Sequence, residues 1–409
     1  MVLPEEPPDL DAIRRARERI GAEVLETPCS ETQRFSDQIP GRLHLKFENL
    51  QLTGSFKVRG ALNRLLHLSP EEREQGVVTA SAGNHAQALA YHSARLRIPC
   101  TVVMPQTTPL IKVQNTRSYG ARVELVGATF DGALAHARSL EASEDWVMIH
   151  AFDDYRVIEG QGTLGLELLE QVPDMDTVLV PIGGGGLVSG VASAVKAVRP
   201  QVRIVGVESA SVPSARASVE AGRVVEMESA DTIADGIAVK RVGDRTFPLI
   251  RDLVDDLVVV DDDAVARAIL LLLEREKSVV EGAGAASLAA LIAGVVAVEP
   301  EERVVALLCG GNIDVNMISR IIDRGLVRDG RLARLVATVR DRPGALARLT
   351  ELVAATGANV LEVFHQRAFA DLSVGDVEIV LQIETRGPDH VDEILQVMEE
   401  RGIRVRKAL

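Results

Sequence analysis

Over residues 11–24 charged and apolar positions recur with the period of an amphipathic helix, and the pattern stops before Thr27-Pro28. Beyond it, short apolar runs rich in β-branched residues alternate with longer helical patterns. The runs fall at 43–47, 77–79, 100–104, 122–126, 177–181, 202–207 and 304–309, and glycine, serine or proline precedes the next helical pattern. Runs with no polar face read as buried parallel strands, because helices cover both faces of such a sheet. The fold class is therefore α/β. The runs at 77–79, 100–104 and 122–126 with their helices form one small open-sheet unit, and the strands after Asp176 form another. This arrangement predicts two lobes with a cleft between them, the small lobe spanning roughly residues 55–160.

The pattern changes after Asp329-Gly330. A strand (334–340), a Pro-Gly turn, a helix (345–356), a strand (358–366), a polar turn, a strand (375–385), a helix (388–401) and a strand (402–406) follow in order. That β-α-β-β-α-β series is the ferredoxin-like split unit, at the length of a small separate domain. The expected division is thus residues 1–330 and residues 333–409. A chain of 409 residues is in any case more than one core usually holds.

Composition narrows the function classes. Lys and Arg number 45 against 59 Asp and Glu, a net charge of -14 that opposes docking on nucleic acid or an anionic membrane. Aromatic residues are only 3%, so base-stacking platforms are scarce as well. No apolar run reaches the roughly 18–20 residues needed to span a bilayer, and the N-terminal stretch is acidic, which predicts a cytoplasmic protein. The cysteines, Cys29, Cys100 and Cys309, are widely spaced without a C-x-x-C pair, and the first two read as structural thiols.

Four stretches carry candidate chemistry. Phe56 and Lys57 stand in Thr53-Gly54-Ser55-Phe56-Lys57-Val58-Arg59-Gly60, after a strand and opening a helix. The other six lysines (Lys46, Lys112, Lys196, Lys240, Lys277, Lys407) lie in ordinary surface patterns. At a helix N-terminus, the positive end of the dipole and partial burial lower an amine's pKa, as a nucleophile or Schiff-base former requires. A surface lysine that snorkels is the plain alternative. The second stretch is Ser81, Ala82, Gly83, Asn84 and His85, between the run 77–79 and a helix expected from about residue 86. Small residues there expose backbone N–H groups suited to a carboxylate, and Asn84 adds a donor. A serine N-cap beside a solvated His85 is the alternative. The third, Gly183, Gly184, Gly185, Gly186 and Leu187, lies before a helix expected over 188–198. It nearly makes a dinucleotide fingerprint, but four successive glycines suit a single-phosphate cradle better. Cys309, in Leu308-Cys309-Gly310-Gly311-Asn312, ends a buried strand, where side chains of α/β sheets face the ligand cleft unless they are simply core.

Together the four stretches resemble the threonine and serine dehydratases among the fold type II (tryptophan synthase β-like) pyridoxal-phosphate enzymes, over about the first 325 residues. His150-Ala151-Phe152-Asp153-Asp154 and Gly160-Gln161-Gly162-Thr163 are further stretches of that family. The resemblance implies that Lys57 holds pyridoxal phosphate beside Phe56 and, once displaced by substrate, takes the α-proton. It implies that Asn84 bonds the cofactor's ring oxygen, that Ser81, Ala82, Gly83, Asn84 and His85 bind the substrate carboxylate, that Gly183 to Leu187 take the phosphate, and that Cys309 meets the pyridine nitrogen. A neutral thiol there disfavours transamination and favours loss of the β-hydroxyl. The implied reaction turns threonine into 2-oxobutanoate and ammonia, and serine into pyruvate, in isoleucine biosynthesis or threonine catabolism.

Serine racemases of this family carry a second serine where this chain has Ala82, so racemisation should be minor. Their divalent site has an acidic pair of which Glu208 matches the first member and Ser214 replaces the second, so no divalent metal is expected, while a monovalent ion stays open. Residues 333–409 resemble an ACT regulatory domain, with Asp341, Arg342, Pro343, Gly344, Ala345 and Leu346 forming the turn that borders an amino-acid pocket. A homodimer or homotetramer is implied, and an amino-acid effector. Alternatives are a racemase or β-replacement enzyme of the same family, a non-catalytic amino-acid sensor, or a nucleotide-binding oxidoreductase.

Overall fold

The computed structural model describes residues 6–367 and 373–408. The described chain forms two compact units, one up to Ile313 and the other from Asp314 on. In the first unit β2 (Arg42–Lys46), β7 (Thr177–Pro181), β8 (Arg203–Ser209), β9 (Asp256–Val260) and β10 (Arg303–Leu307) run parallel, with β1 (Cys29–Thr32) antiparallel on one edge. The order is β1-β2-β10-β7-β8-β9. A second, wholly parallel sheet has the order β5-β4-β3-β6, from β3 (Val77–Ala80), β4 (Cys100–Met104), β5 (Arg122–Leu125) and β6 (Val147–Met148). All seven expected runs are strands. β7 and β3 are buried along their whole length, as runs without a polar face require. β1, β6 and β9 have no counterpart in the pattern: β1 is polar, β6 has two residues and β9 is only half-buried.

Two helices begin earlier than the pattern predicts. Asn84–Leu96 starts at Asn84 and Gly186–Val198 takes in the last glycine of the tetraglycine, so both loops end inside a first turn. No helix among the described residues is long and apolar enough to cross a membrane.

The reading of Lys46 as a surface lysine is overturned. Lys46 is fully buried, and its Nζ donates to Glu167 Oε2 at 2.5 Å, Thr27 O at 2.7 Å and Gln171 Oε1 at 2.9 Å. The buried Arg59 guanidinium grips Glu48 with Nε at 2.9 Å and Nη2 at 2.7 Å, and reaches Glu167 with Nη1. Burial alone would raise the Glu48 carboxyl, but the charge and hydrogen bonds of Arg59, with Thr27 and Lys46, hold it below the usual carboxylate range. Two cations and two carboxylates thus close a neutral cluster joining β2, the helix Lys57–Leu66 and the helix Tyr155–Gln171. Those helices touch where the chain has no side chain: a Cβ on Gly160 would lie 2.6 Å from Gly60 Cα. The stretch Gly160 to Thr163 is therefore a helix-packing surface.

In the second unit, β11 (Leu332–Arg340), β12 (Asn359–Gln366), β13 (Asp376–Glu384) and β14 (Arg404–Ala408) form an antiparallel sheet ordered β12-β13-β11-β14. The helices Ala345–Ala355 and Pro388–Glu400 cover one face through Leu349, Val353, Val391, Ile394 and Met398. The expected β-α-β-β-α-β order is present, and the polar turn before β13 lies largely outside the described residues. The helix Val315–Arg328 groups with this unit.

Replacing Arg59 by leucine leaves Glu48 and half of Glu167 buried without a counter-charge, a loss of about 3–5 kcal/mol. Urea unfolding monitored by circular dichroism checks this, and a midpoint equal to that of the wild type would refute the structural role given to the cluster.

Candidate active site

The chain reaches Lys57 through a tight turn in which Thr53 (φ 57°) and Gly54 (φ 74°) both have left-handed backbone. For threonine that conformation is strained, and such strain persists where the surroundings over-determine it. Ser55 then forms an isolated bridge with Gly310, and Phe56 N donates to Cys309 O at 3.2 Å, so the loop after β10 clamps the start of the helix Lys57–Leu66. Lys57 Nζ donates to Ala151 O at 2.9 Å and lies 5.1 Å from the centre of the Phe56 ring. No carboxylate pairs with it among the described residues. Burial pulls its pKa down to about 8, against smaller opposing effects of Cys309 and Glu281. A substantial neutral fraction near neutrality makes this amine a nucleophile, and the snorkelling alternative does not describe it.

After β3 the chain passes Ser81, Ala82 and Gly83 into the helix Asn84–Leu96, with Gly83 as its N-cap. Ser81 Oγ accepts from Gly83 N at 3.3 Å instead of capping the helix. The first-turn amides of Asn84 and His85 have no intrahelical acceptor, and a Cβ on Gly83 would meet nothing within 4 Å, so an anion has access to them. Ala82 packs on the Ala86, Val102 and Met104 cluster. His85 is buried, not solvated: its Nε2 faces Ile149 O at 3.1 Å, and burial, aided by the charge of Lys57, pulls its pKa down to about 3. It is a neutral packing histidine here.

The tetraglycine follows β7. A Cβ on Gly184 would come within 2.3 Å of the Phe152 ring, one on Gly186 within 2.9 Å of Phe152 Cβ, and one on Gly185 within 2.6 Å of Ile250 Cδ1. Gly185 also has φ +95°. Thr246 Oγ1 donates to Gly184 O at 2.7 Å and accepts from Gly243 N at 2.9 Å, so the loop is held from behind. Gly183 packs on Ile237, and Leu187 is buried at the start of the helix Gly186–Val198. The stretch 150–153 links this loop to Lys57, since Ala151 accepts from the amine while Phe152 touches Gly184 and Gly186.

Cys309 is buried, and burial, together with the charge of Glu281, pushes its thiol well above the ordinary range. It stays a neutral thiol. Beyond it, Asn312 Nδ2 donates to Thr53 O at 2.7 Å and Asn84 Oδ1 at 2.8 Å, and Asn84 Nδ2 donates to Glu281 Oε1 at 2.6 Å. Glu281 is a site residue that the sequence analysis missed. It is buried, and burial with the charge of Asp235 pushes its pKa up to about 7. The available signal was an acid placed directly before Gly282–Ile292, a helix of small and apolar residues with hardly a polar face to put it on. Glu208, by contrast, accepts from Ala215 N at 2.7 Å and Arg216 N at 2.9 Å, which engages its oxygens with the start of a helix.

In the second unit, the turn Asp341, Arg342, Pro343, Gly344, Ala345, Leu346 borders a recess of about 330 Å³, completed by His365, Arg367, Val377 and Ile379. Arg367 Nε donates to Asp341 Oδ2 at 2.8 Å across it.

The family described as "Pyridoxal-phosphate dependent enzyme" matches residues 20–310. The L-threonine ammonia-lyase of Thermotoga maritima is 46% identical over 397 residues, 97% of this chain and 98% of its own length. The catabolic L-threonine dehydratase TdcB of Escherichia coli K12 is 42% identical over 316 residues, 77% of this chain and 96% of its own. Among solved structures, the processed form of threonine deaminase isoform 2 from Solanum lycopersicum has a TM-score of 0.72 at 36% identity, covering 79% of this chain and 91% of that one. The serine racemase of maize has a TM-score of 0.74 at 37% identity, covering 79% and 99%.

In ligand-free protein, competitive acylation of Lys57 should rise with pH through a midpoint near 8, because only the neutral amine reacts. Mass spectrometry of the labelled peptides reads this, and a midpoint in the usual lysine range above about 10 would contradict the site described.

Proposed function

The chain belongs to the pyridoxal-phosphate-dependent enzymes, and from that footing we infer that it is an L-threonine ammonia-lyase. It converts L-threonine into 2-oxobutanoate and ammonia, and L-serine into pyruvate and ammonia, by α,β-elimination of water. The observation that carries this reading is a half-buried amine, Lys57, hydrogen-bonded to Ala151 beside the Phe152 that packs on the glycine loop, in a chain aligned almost end to end with an L-threonine ammonia-lyase.

The residues fit the cofactor. Ser55 Oγ and Thr53 Oγ1 are buried beside Lys57 without a hydrogen-bond partner, and the loop at Gly183 to Gly186 ends at the N-terminus of a helix, a ready phosphate site. Lys57 would hold the cofactor through its amine, Gly183 to Leu187 its phosphate, Asn84 its ring oxygen and Cys309 its ring nitrogen. When bound, pyridoxal phosphate supplies an electron sink for the charge left on the substrate's α-carbon. The first-turn amides after Gly83 hold the substrate carboxylate. The Lys57 amine, drawn toward its neutral form by burial, would accept the α-proton at Nζ. Cys309, as a neutral thiol, would meet the ring nitrogen without fixing a proton on it, which would favour prompt loss of the β-hydroxyl. Ala82 places a methyl group where a racemase would place a hydroxyl, and that methyl packs into the small-lobe core.

Residues 1–330 are assigned the lyase chemistry and residues 333–409 an ACT-like regulatory role. In support, the E. coli relative spans only 77% of this chain while being matched over 96% of its own length. An amino-acid effector at Asp341 to Leu346 would find a cation in Arg367 and a carboxylate in Asp341. The uncovered face of the β11–β14 sheet, with Phe364 46% exposed, favours a homo-oligomer.

Lys57→Ala should lower 2-oxobutanoate formation by several orders of magnitude, because attachment and base are lost together. An undiminished rate would refute the assignment. With L-serine, pyruvate formation should exceed D-serine formation by at least about tenfold, or about 1.4 kcal/mol between the two barriers; chiral chromatography showing mainly D-serine would favour the racemase reading. Truncation after Gly330 should leave threonine turnover within the roughly 1–3 kcal/mol typical of allosteric coupling while abolishing any response to isoleucine or valine. A truncated protein that still responds would move the effector site into residues 1–330.

A further inference from the structure

Asn84 can present either an N–H or an oxygen to a ligand, and the two ends of its side chain differ only in which atom is the donor. Its neighbours decide. Asn312 Nδ2 is committed as a donor, because it also donates to the carbonyl of Thr53 at 2.7 Å; it can therefore meet only an oxygen, and it meets Asn84 Oδ1 at 2.8 Å. On the other side stands the Glu281 carboxylate, which accepts from Asn84 Nδ2 at 2.6 Å. Reversing the carboxamide would set oxygen against carboxylate and donor against donor. Each contact alone selects the same orientation. Two glycines leave room for this line of groups: a Cβ on Gly310 would sit 2.3 Å from Glu281 Oε1, and one on Gly54 would sit 2.7 Å from Asn312 Oδ1. With one amide hydrogen given to Glu281, the second remains for the ligand.

We propose that Glu281 is a positioning residue that acts with Asn312 to hold the polarity of the Asn84 carboxamide, so that Asn84 offers the cofactor's ring oxygen an N–H and not its own oxygen. This rests on the reading that Asn84 holds the cofactor. The Asn312 contact holds whatever the pH, whereas the Glu281 contact selects only while Glu281 is an acceptor alone. Once protonated Glu281 carries a donor, accommodates either orientation and leaves the selection to Asn312. Its titration is set by burial, and by the charged and titratable groups facing it: Asp235, which favours the protonated form, Lys112 and Lys57, which favour the carboxylate, and the neutral Cys309 thiol. With a pKa of about 7, both contacts hold the carboxamide above neutrality and Asn312 alone holds it below, so positioning weakens as the pH falls.

The test measures pyridoxal phosphate binding to the cofactor-free full chain as a function of pH, in wild type and Glu281→Gln, with thermal unfolding recorded in parallel. The glutamine variant, of equal volume but both donor and acceptor, should bind about tenfold more weakly above neutrality at an unchanged melting temperature. It should also lose the fall in affinity that the wild type shows as the pH drops through about 7. Equal affinity and an equal pH profile in the two proteins would overturn the proposal. Should Glu281→Gln fold poorly, Asn84→Ala decides: the step near neutrality should vanish there too, and its persistence would overturn the proposal. Failure of the underlying reading looks different, since the wild type itself would then take up no cofactor at Lys57.

Discussion

Arg59 carries a charge that no solvent reaches, and the lyase core is arranged around keeping it paired. Glu48 and Glu167 take its guanidinium, Lys46 shares Glu167, and Thr27 closes the far side of Glu48. An arginine so enclosed cannot shift without stranding a buried carboxylate, so the backbone of its helix is fixed. Lys57 lies two residues earlier on that helix, and the bridge between Ser55 and Gly310 clamps the same segment from the other side. The reactive amine is thus aimed by elements that are themselves held by ion pairs and close glycine contacts, which is the rigidity a catalytic group needs.

One physical cause, loss of solvent, sets the protonation of nearly every titratable group around that amine. It lowers Lys57 and His85 and raises Cys309 and Glu281, so each is drawn toward its neutral form. A neutral lysine can take a proton, a neutral thiol would leave a ring nitrogen held beside it unprotonated, and a carboxyl balanced near neutrality makes its hydrogen-bond polarity depend on pH. The site therefore needs no strong ion pair at its reactive atoms, and the buried charged pairs lie elsewhere, in the Arg59 cluster and between Arg64 and Asp154.

The glycine loops and Lys57 were legible in the sequence because each stands at a strand-to-helix junction, where small residues and a lone basic residue stand out from the periodic pattern. Cys309 was legible for the same reason. Glu281 was not, since one acid before a small-residue helix has no spacing partner; its partner, Asn84, lies almost two hundred residues away in the chain. The Arg59 cluster was hidden similarly, its members coming from four separate elements, although Lys46, at the strand end next to the buried Leu45, carried a hint in its apolar setting. Helix starts were read late at Asn84 and Gly186 because glycine and asparagine look like loop residues even when they occupy a first turn. The β1 and β6 strands offered too few residues for any period to show.

The claim on which the rest turns is that Lys57 is the amine that carries the cofactor. Reduction of the cofactor-loaded protein with borohydride, followed by proteolysis and mass mapping, freezes the linkage where it stands. The account predicts a single pyridoxyl adduct, on the peptide containing Lys57. An adduct on any of the other six lysines, buried Lys46 included, or no adduct at all, would contradict it.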